Sequence, residues 1–126
     1  MKILESAENY LETIHILSSE KGQVRAIDIV NYLGFSKPSV SIAMKQLESN
    51  GYILRDEDGY ITLTDDGAEI ATCVFERHRL LSDFFMALGV TEDVARSDAC
   101  KVEHHISQET FDHLKENIDK LLSSLK

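Results

Sequence analysis

Tryptophan is absent from this 126-residue chain, proline occurs once, at Pro38, and no low-complexity run interrupts it. With 43% hydrophobic and 28% charged residues, a folded state is expected rather than disorder. Two cysteines, Cys73 and Cys100, are too few for a disulfide scaffold and fit a reducing cytoplasm. No apolar run approaches the ~18 residues that a membrane span needs. The opening Met1-Lys2-Ile3-Leu4-Glu5 meets charge too early for a signal peptide. These absences exclude secreted and membrane-spanning roles and leave one compact domain, or two small halves.

Cations are also scarce, 13 against 22 acidic residues for a net charge of −9, which argues against a nucleic-acid partner. The distribution softens that objection. Residues 21–47 carry Lys21, Arg25, Lys37 and Lys45 against Asp28 alone, a local charge of +3. Residues 64–126 carry 7 basic and 13 acidic side chains, a charge of −6. The two halves suggest two jobs, anion binding in one and cation binding in the other.

Apolar periodicity predicts a first helix over 5–18, with Ala7, Tyr10, Leu11, Ile14 and Leu17 on one face. A second helix is expected from Arg25 to Leu33, with Ile27, Ile29, Val30 and Leu33 inward. After Gly34-Phe35, Ser36 is placed to cap a third helix opening Lys37-Pro38 and burying Val40, Ala43, Met44 and Leu47, with Asn50-Gly51 as its stop. Tyr52–Arg55 and Tyr60–Leu63 flank Asp56-Glu57-Asp58-Gly59, a hairpin signal. Helix, turn, helix and hairpin in this order predict a winged helix-turn-helix. Thr64, Thr91 and Ser107 then read as caps of three further helices, reaching about Leu88, about Ile106 and through Leu122. The fold class is mostly α with a small β-hairpin, divided into residues 1–63 and 64–126. The apolar surface of the second half is wide enough to predict a dimer.

On the third helix, Pro38, Ser41, Ile42 and Lys45 project away from the apolar stripe, and Ser36, Lys37 and Ser39 crowd its N-terminus, where backbone N–H groups favour an anion. Hydroxyls can approach base edges or phosphates, Lys45 can pair with phosphate, and Ile42 can touch a thymine methyl. With Arg25 these form the candidate DNA-contacting set. A merely solvated helix face is the alternative, and an outward isoleucine weighs against it. The acidic turn at Asp56, Glu57 and Asp58 should avoid phosphate.

Cys100, Glu103 and His104 stand at i, i+3 and i+4, so a thiol, a carboxylate and an imidazole share one helical face, a mixture suited to a divalent transition metal. A core cysteine, a solvated glutamate and a surface histidine would satisfy the same spacing. His105 points elsewhere, and His15 and His113 read as ordinary histidines.

The stretch Ser6-Ala7-Glu8-Asn9-Tyr10-Leu11-Glu12-Thr13-Ile14, the winged helix, Arg77-His78-Arg79-Leu80-Leu81 and Ala99–Ser107 together resemble the diphtheria toxin repressor family, which includes the manganese transport regulators. The resemblance implies a metal-activated transcriptional repressor, a homodimer on operator DNA that controls metal-uptake genes and is no enzyme. It also implies a ligand set of Asn9, Glu12, His78, Cys100, Glu103 and His104, with the cation joining the first helix to the second half. Glu12 matches the manganese branch and Cys100 the iron branch; Asn9 stands where one branch has aspartate and the other methionine. Cys100 puts ferrous iron first and manganese second. Ser82 and Arg96 stand where the iron branch has a carboxylate and a histidine of an ancillary site. The sequence stops at Lys126, where longer iron-branch members append a small β-barrel, so a short form is expected. A winged-helix regulator answering to an organic ligand or to thiol oxidation is the rival reading.

Overall fold

The computed structural model describes residues 5–124; the Met1–Leu4 segment read above for a leader, and residues 125 and 126, lie outside the described residues. The elements are α1 (Glu5–Lys21), α2 (Ala26–Leu33), α3 (Lys37–Ser49), β1 (Ile53–Arg55), β2 (Ile61–Leu63), α4 (Asp65–Ala87), α5 (Glu92–Glu103) and α6 (Gln108–Ser124). They form two compact units, one ending at Cys73 and the other beginning at Val74.

In the first unit, α1 buries Tyr10, Leu11, Thr13, Ile14 and Leu17 along one face and continues to Lys21, beyond the expected end at Ser18. The apolar stripe is exhausted at Leu17, so periodicity gives no sign of the last turn. Arg25 is the N-cap of α2 rather than its first helical residue. Its N–H donates to Asp28 Oδ2 at 2.9 Å, and Lys21 Nζ reaches the other oxygen at 2.6 Å. Both contacts favour the carboxylate, and the Lys21 bond, followed by the Arg25 N–H, holds Asp28 below its ordinary value of 3.8. Ile27, expected inward, is exposed. It lies two residues from the buried Ile29, about 200° around the helix, so both cannot face the core.

Gly34 takes φ 74°, the left-handed turn that an L side chain resists, and its N–H closes α2 on Val30 O. Ser36 then caps α3, its hydroxyl accepting from Ser39 N at 3.3 Å, while Val40, Met44 and Leu47 go into the core. The strands pair antiparallel with Ile53 opposite Leu63 and Arg55 opposite Ile61; each is one residue shorter than the sequence suggests. Ile53 and Ile61 are buried and Leu54 points out, as alternation requires. Ile61 N also donates to Val24 O at 2.7 Å, so the segment before α2 adds a bridge to the hairpin.

The hairpin leads directly into α4. Thr64 Oγ1 donates to Gly51 O at 2.7 Å and accepts from Gly67 N at 3.2 Å. A Cβ on Gly67 would fall 2.0 Å from Tyr52 O. Only glycine permits this approach, which seats the start of α4 in the first unit and carries that unit past residue 63.

In the second unit, α4 closes with Gly89 N on Met86 O. Thr91 occupies the N-cap position of α5, but its hydroxyl makes no capping hydrogen bond; Glu92 and Asp93 in the first turn meet the helix dipole instead. The helix ends at Glu103, short of the expected Ile106, with His104 as its C-cap and with His105 N and Ile106 N both bonded to Val102 O. Ser107 caps α6 through Thr110 N at 3.1 Å. Phe111 and Ile118 are buried there, while Leu121, expected on the same face, is 41% exposed. No described helix is long and apolar enough to cross a membrane.

Candidate metal centre and nucleic-acid interface

The end of α5 assembles the chemistry. Cys100, Glu103 and His104 each present one donor atom, and the three atoms lie within 4.8 Å of one another. The spacing accounts for this: three and four residues along a helix return to nearly the same azimuth. The burial pattern reverses the bland alternative at every position. Cys100 reaches solvent, Glu103 is only 1% exposed, and the His104 imidazole is fully buried.

A buried carboxylate is costly unless its charge is met. Glu103 Oε2 lies 2.8 Å from Nδ1 of His78, which α4 supplies. Glu103 Oε1 lies 3.3 Å from His104 Nε2 without the alignment of a hydrogen bond, and it has no hydrogen-bond partner among the described residues. A buried carboxylate oxygen without a hydrogen-bond donor among the described residues, with an imidazole and a thiol donor within 4.8 Å, is an environment that a divalent cation would satisfy. The donor set therefore fits a metal, and its sulfur makes it softer than an all-oxygen magnesium or calcium site.

Asn9 and Glu12 are half-buried on α1 in the first unit. Ser82 is buried with its hydroxyl unpartnered among the described residues, and Arg96 pairs with Glu92 on the surface at 2.9 Å. Neither brings a carboxylate or imidazole to an ancillary site. His105 and His113 are exposed and His15 half-buried. Sequence reasoning missed Arg77 as part of this region. Its NH1 donates to Glu103 O at 3.1 Å and Ile106 O at 3.0 Å, and its NH2 to Gln108 Oε1 at 2.7 Å. No local pattern signals such a bond, because its acceptors lie a full helix away in sequence.

On α3, Lys37, Pro38, Ser39, Ser41, Ile42 and Lys45 are all exposed, as are Ser36 and Arg25. Ile42 is 58% exposed on a helix whose other large apolar side chains are buried. The Arg25 guanidinium lies over the Tyr60 ring, 4.3 Å from its centroid, which joins the start of α2 to the wing. At the wing tip, Asp56 Oδ1 accepts from Asp58 N and Tyr60 N, both at 2.9 Å, so the acidic turn is rigid.

Comparison with known proteins accounts for both halves. Residues 2–63 match the N-terminal DNA binding domain of the iron dependent repressors, and residues 64–124 match their metal binding and dimerisation domain. The transcriptional regulator MntR of Salmonella typhimurium is 39% identical over 108 residues, covering 86% of this chain and 69% of the relative. The HTH-type transcriptional regulator MntR of Lysinibacillus sphaericus is 31% identical over 109 residues, covering 86% of this chain and 78% of the relative. Among solved structures, the manganese regulator SloR superposes with a TM-score of 0.80 at 28% identity over 90% of this chain. A manganese-dependent transcriptional repressor complexed with manganese gives 0.74 at 28% over 93%. The chain spans about half the length of these two solved proteins, 53% and 52%. With a helix-turn-helix and wing in one half and a buried carboxylate and imidazole beside an exposed thiol in the other, the chain belongs to the iron-dependent repressor family, whose members are metal-dependent transcriptional regulators and not enzymes.

Proposed function

We propose that this protein is a manganese-responsive repressor, which grips operator DNA as a homodimer when its metal centre is loaded and so restrains metal-uptake genes. The observation that carries this reading is the buried Oε1 of Glu103, without a hydrogen-bond donor among the described residues, beside His104 and Cys100. His78, Cys100, Glu103 and His104 are the ligands that the second unit offers. Asn9 and Glu12 join them on the strength of the family resemblance. A bound divalent cation supplies the positive charge that this carboxylate otherwise lacks.

Cys100, by its match to the iron branch, puts iron first, but the relatives favour manganese. SloR is a manganese regulator, and another matched structure is a manganese-dependent repressor holding manganese. Intrinsic affinity favours zinc and copper over manganese in almost any such site, so selectivity must come from geometry and from which metal is free. Binding and activation are therefore separate measurements.

Lys45, Lys37 and Arg25 supply phosphate contacts, and Ser39, Ser41 and Ile42 face base edges, while Ser36 and Pro38 fix the start of α3. Metal and DNA each favour the same conformation of the protein, and each then raises affinity for the other by one common factor. The test is selection of duplexes from a random pool with manganese present, then anisotropy titration of the selected duplex. The expected result is at least about tenfold tighter binding in manganese than in chelator, a coupling within the usual range. Equal affinity in both overturns the proposal, and a response to ferrous iron alone overturns the choice of metal.

A further inference from the structure

We infer that Arg77 is a positioning residue for the metal centre, fixing the point at which α5 stops and so the place of Glu103 and His104 relative to Cys100. The inference rests on the metal reading above and concerns a residue that touches no donor atom of the centre.

The last carbonyls of a helix have no partner within it, and here two of the three donors occupy that end. Cys100 stands within the regular helix, Glu103 is its final residue, and His104 lies past it as the C-cap. The distance between thiol and imidazole therefore depends on how the chain leaves the helix. Arg77 settles that exit. From α4 its NH1 donates to Glu103 O and Ile106 O, spanning the turn, while its NH2 holds Gln108 Oε1 at the first residue of α6. The guanidinium also lies 5.3 Å from the centroid of the Phe111 ring.

Two consecutive residues of α4 thus hold Glu103 at both ends, Arg77 by its backbone carbonyl and His78 by its carboxylate. Without Arg77 the apolar periodicity of Val102 and Ile106 favours another turn of helix, which would carry His104 and its neighbours into a different exit. The arrangement does not look like one kept for stability. Arg77 Nε is buried without a hydrogen-bond partner among the described residues, a penalty that a packed apolar side chain would avoid. A planar fork can reach two carbonyls and an amide at once, and a lysine cannot.

The test compares wild type with Arg77→Lys in manganese titrations followed by electron paramagnetic resonance, and in the visible spectrum of cobalt(II)-loaded protein, where thiolate bonding gives its own charge-transfer band. Arg77→Lys should bind manganese about 10-fold more weakly or worse, the range seen when groups that orient metal ligands are lost, and its cobalt thiolate band should shift or vanish. Unchanged affinity together with an unchanged cobalt spectrum overturns the inference and leaves the metal reading standing. Wild-type protein that binds no manganese overturns both. Should Arg77→Lys fail to fold, Gln108→Ala, which removes the NH2 contact and a surface bond to Asp112 within α6, carries the test: it should weaken manganese by less than the roughly 10-fold expected of Arg77→Lys, and an unaltered titration overturns the inference.

Discussion

The two units are built on different principles. In the first, the interior is one continuous apolar cluster of Tyr10, Leu11, Ile14, Leu17, Val24, Ile29, Val40, Met44, Leu47, Ile53, Ile61 and Ala71. In the second, the buried set includes Glu103 and the Ser82 hydroxyl, with Ala95 and Ala99 as the only buried apolar residues of α5. Water exclusion organises the first unit; the second keeps a carboxylate and an imidazole where apolar packing would be cheaper. The difference is that the DNA-binding half buries an almost wholly apolar set, while the metal-binding half accepts the desolvation of a carboxylate.

Breaking the first unit should produce the largest effect. Met44 is fully buried on α3, and Met44→Ala should cost about 3 kcal/mol of unfolding free energy, read by urea denaturation, with the metal titration of the folded protein unchanged. Glu103→Gln strikes the other half: manganese affinity should fall about 100-fold, or about 2.7 kcal/mol, by competition with a fluorescent chelator, and DNA binding should no longer respond to the metal. If Met44→Ala instead disturbed the metal titration of the folded protein, Met44 would be doing more than packing the first unit.

Smaller effects sharpen the contrast at the surface. Lys45→Ala should weaken binding of all duplexes by about 1 kcal/mol and reduce the salt slope by about 0.9, as expected for one lost phosphate contact; Ile42→Ala should act only at one base position. Asp28→Asn should cost about 0.5 kcal/mol at neutral pH, since Lys21 is half exposed and solvent screens the pair. Because Asp28 titrates lower in the folded than in the unfolded state, its contribution is complete above pH ~4 and is lost as the pH falls through the folded value. Thermal melts of the wild type and Asp28→Asn should therefore converge at acid pH.

Much of this was legible in the sequence because the signals are local. Ser36 before Lys37-Pro38, Thr64 before Asp65-Asp66, Ser107 before α6 and the acidic turn between two β-prone runs each act within a few residues. The i, i+3, i+4 spacing at Cys100 is local in the same way, and it accounts for three donor atoms lying within 4.8 Å of one another. What escaped depends on distant partners. The Val24 bridge needs β2, the end of α5 needs Arg77, and the burial of Glu103 needs α4 beside it. Ile27 was misplaced for a different reason: an eight-residue helix with six hydrophobic residues does not announce which of them its neighbours will cover.

The rigid acidic wing tip has a consequence for economy in the cell. Asp56, Glu57 and Asp58 stand where many winged proteins would brace against the sugar-phosphate rails, on a molecule whose overall charge is −9. Such a protein clings poorly to arbitrary chromosome, since that adhesion is chiefly counterion release. A smaller share of its molecules should then be held on irrelevant sites.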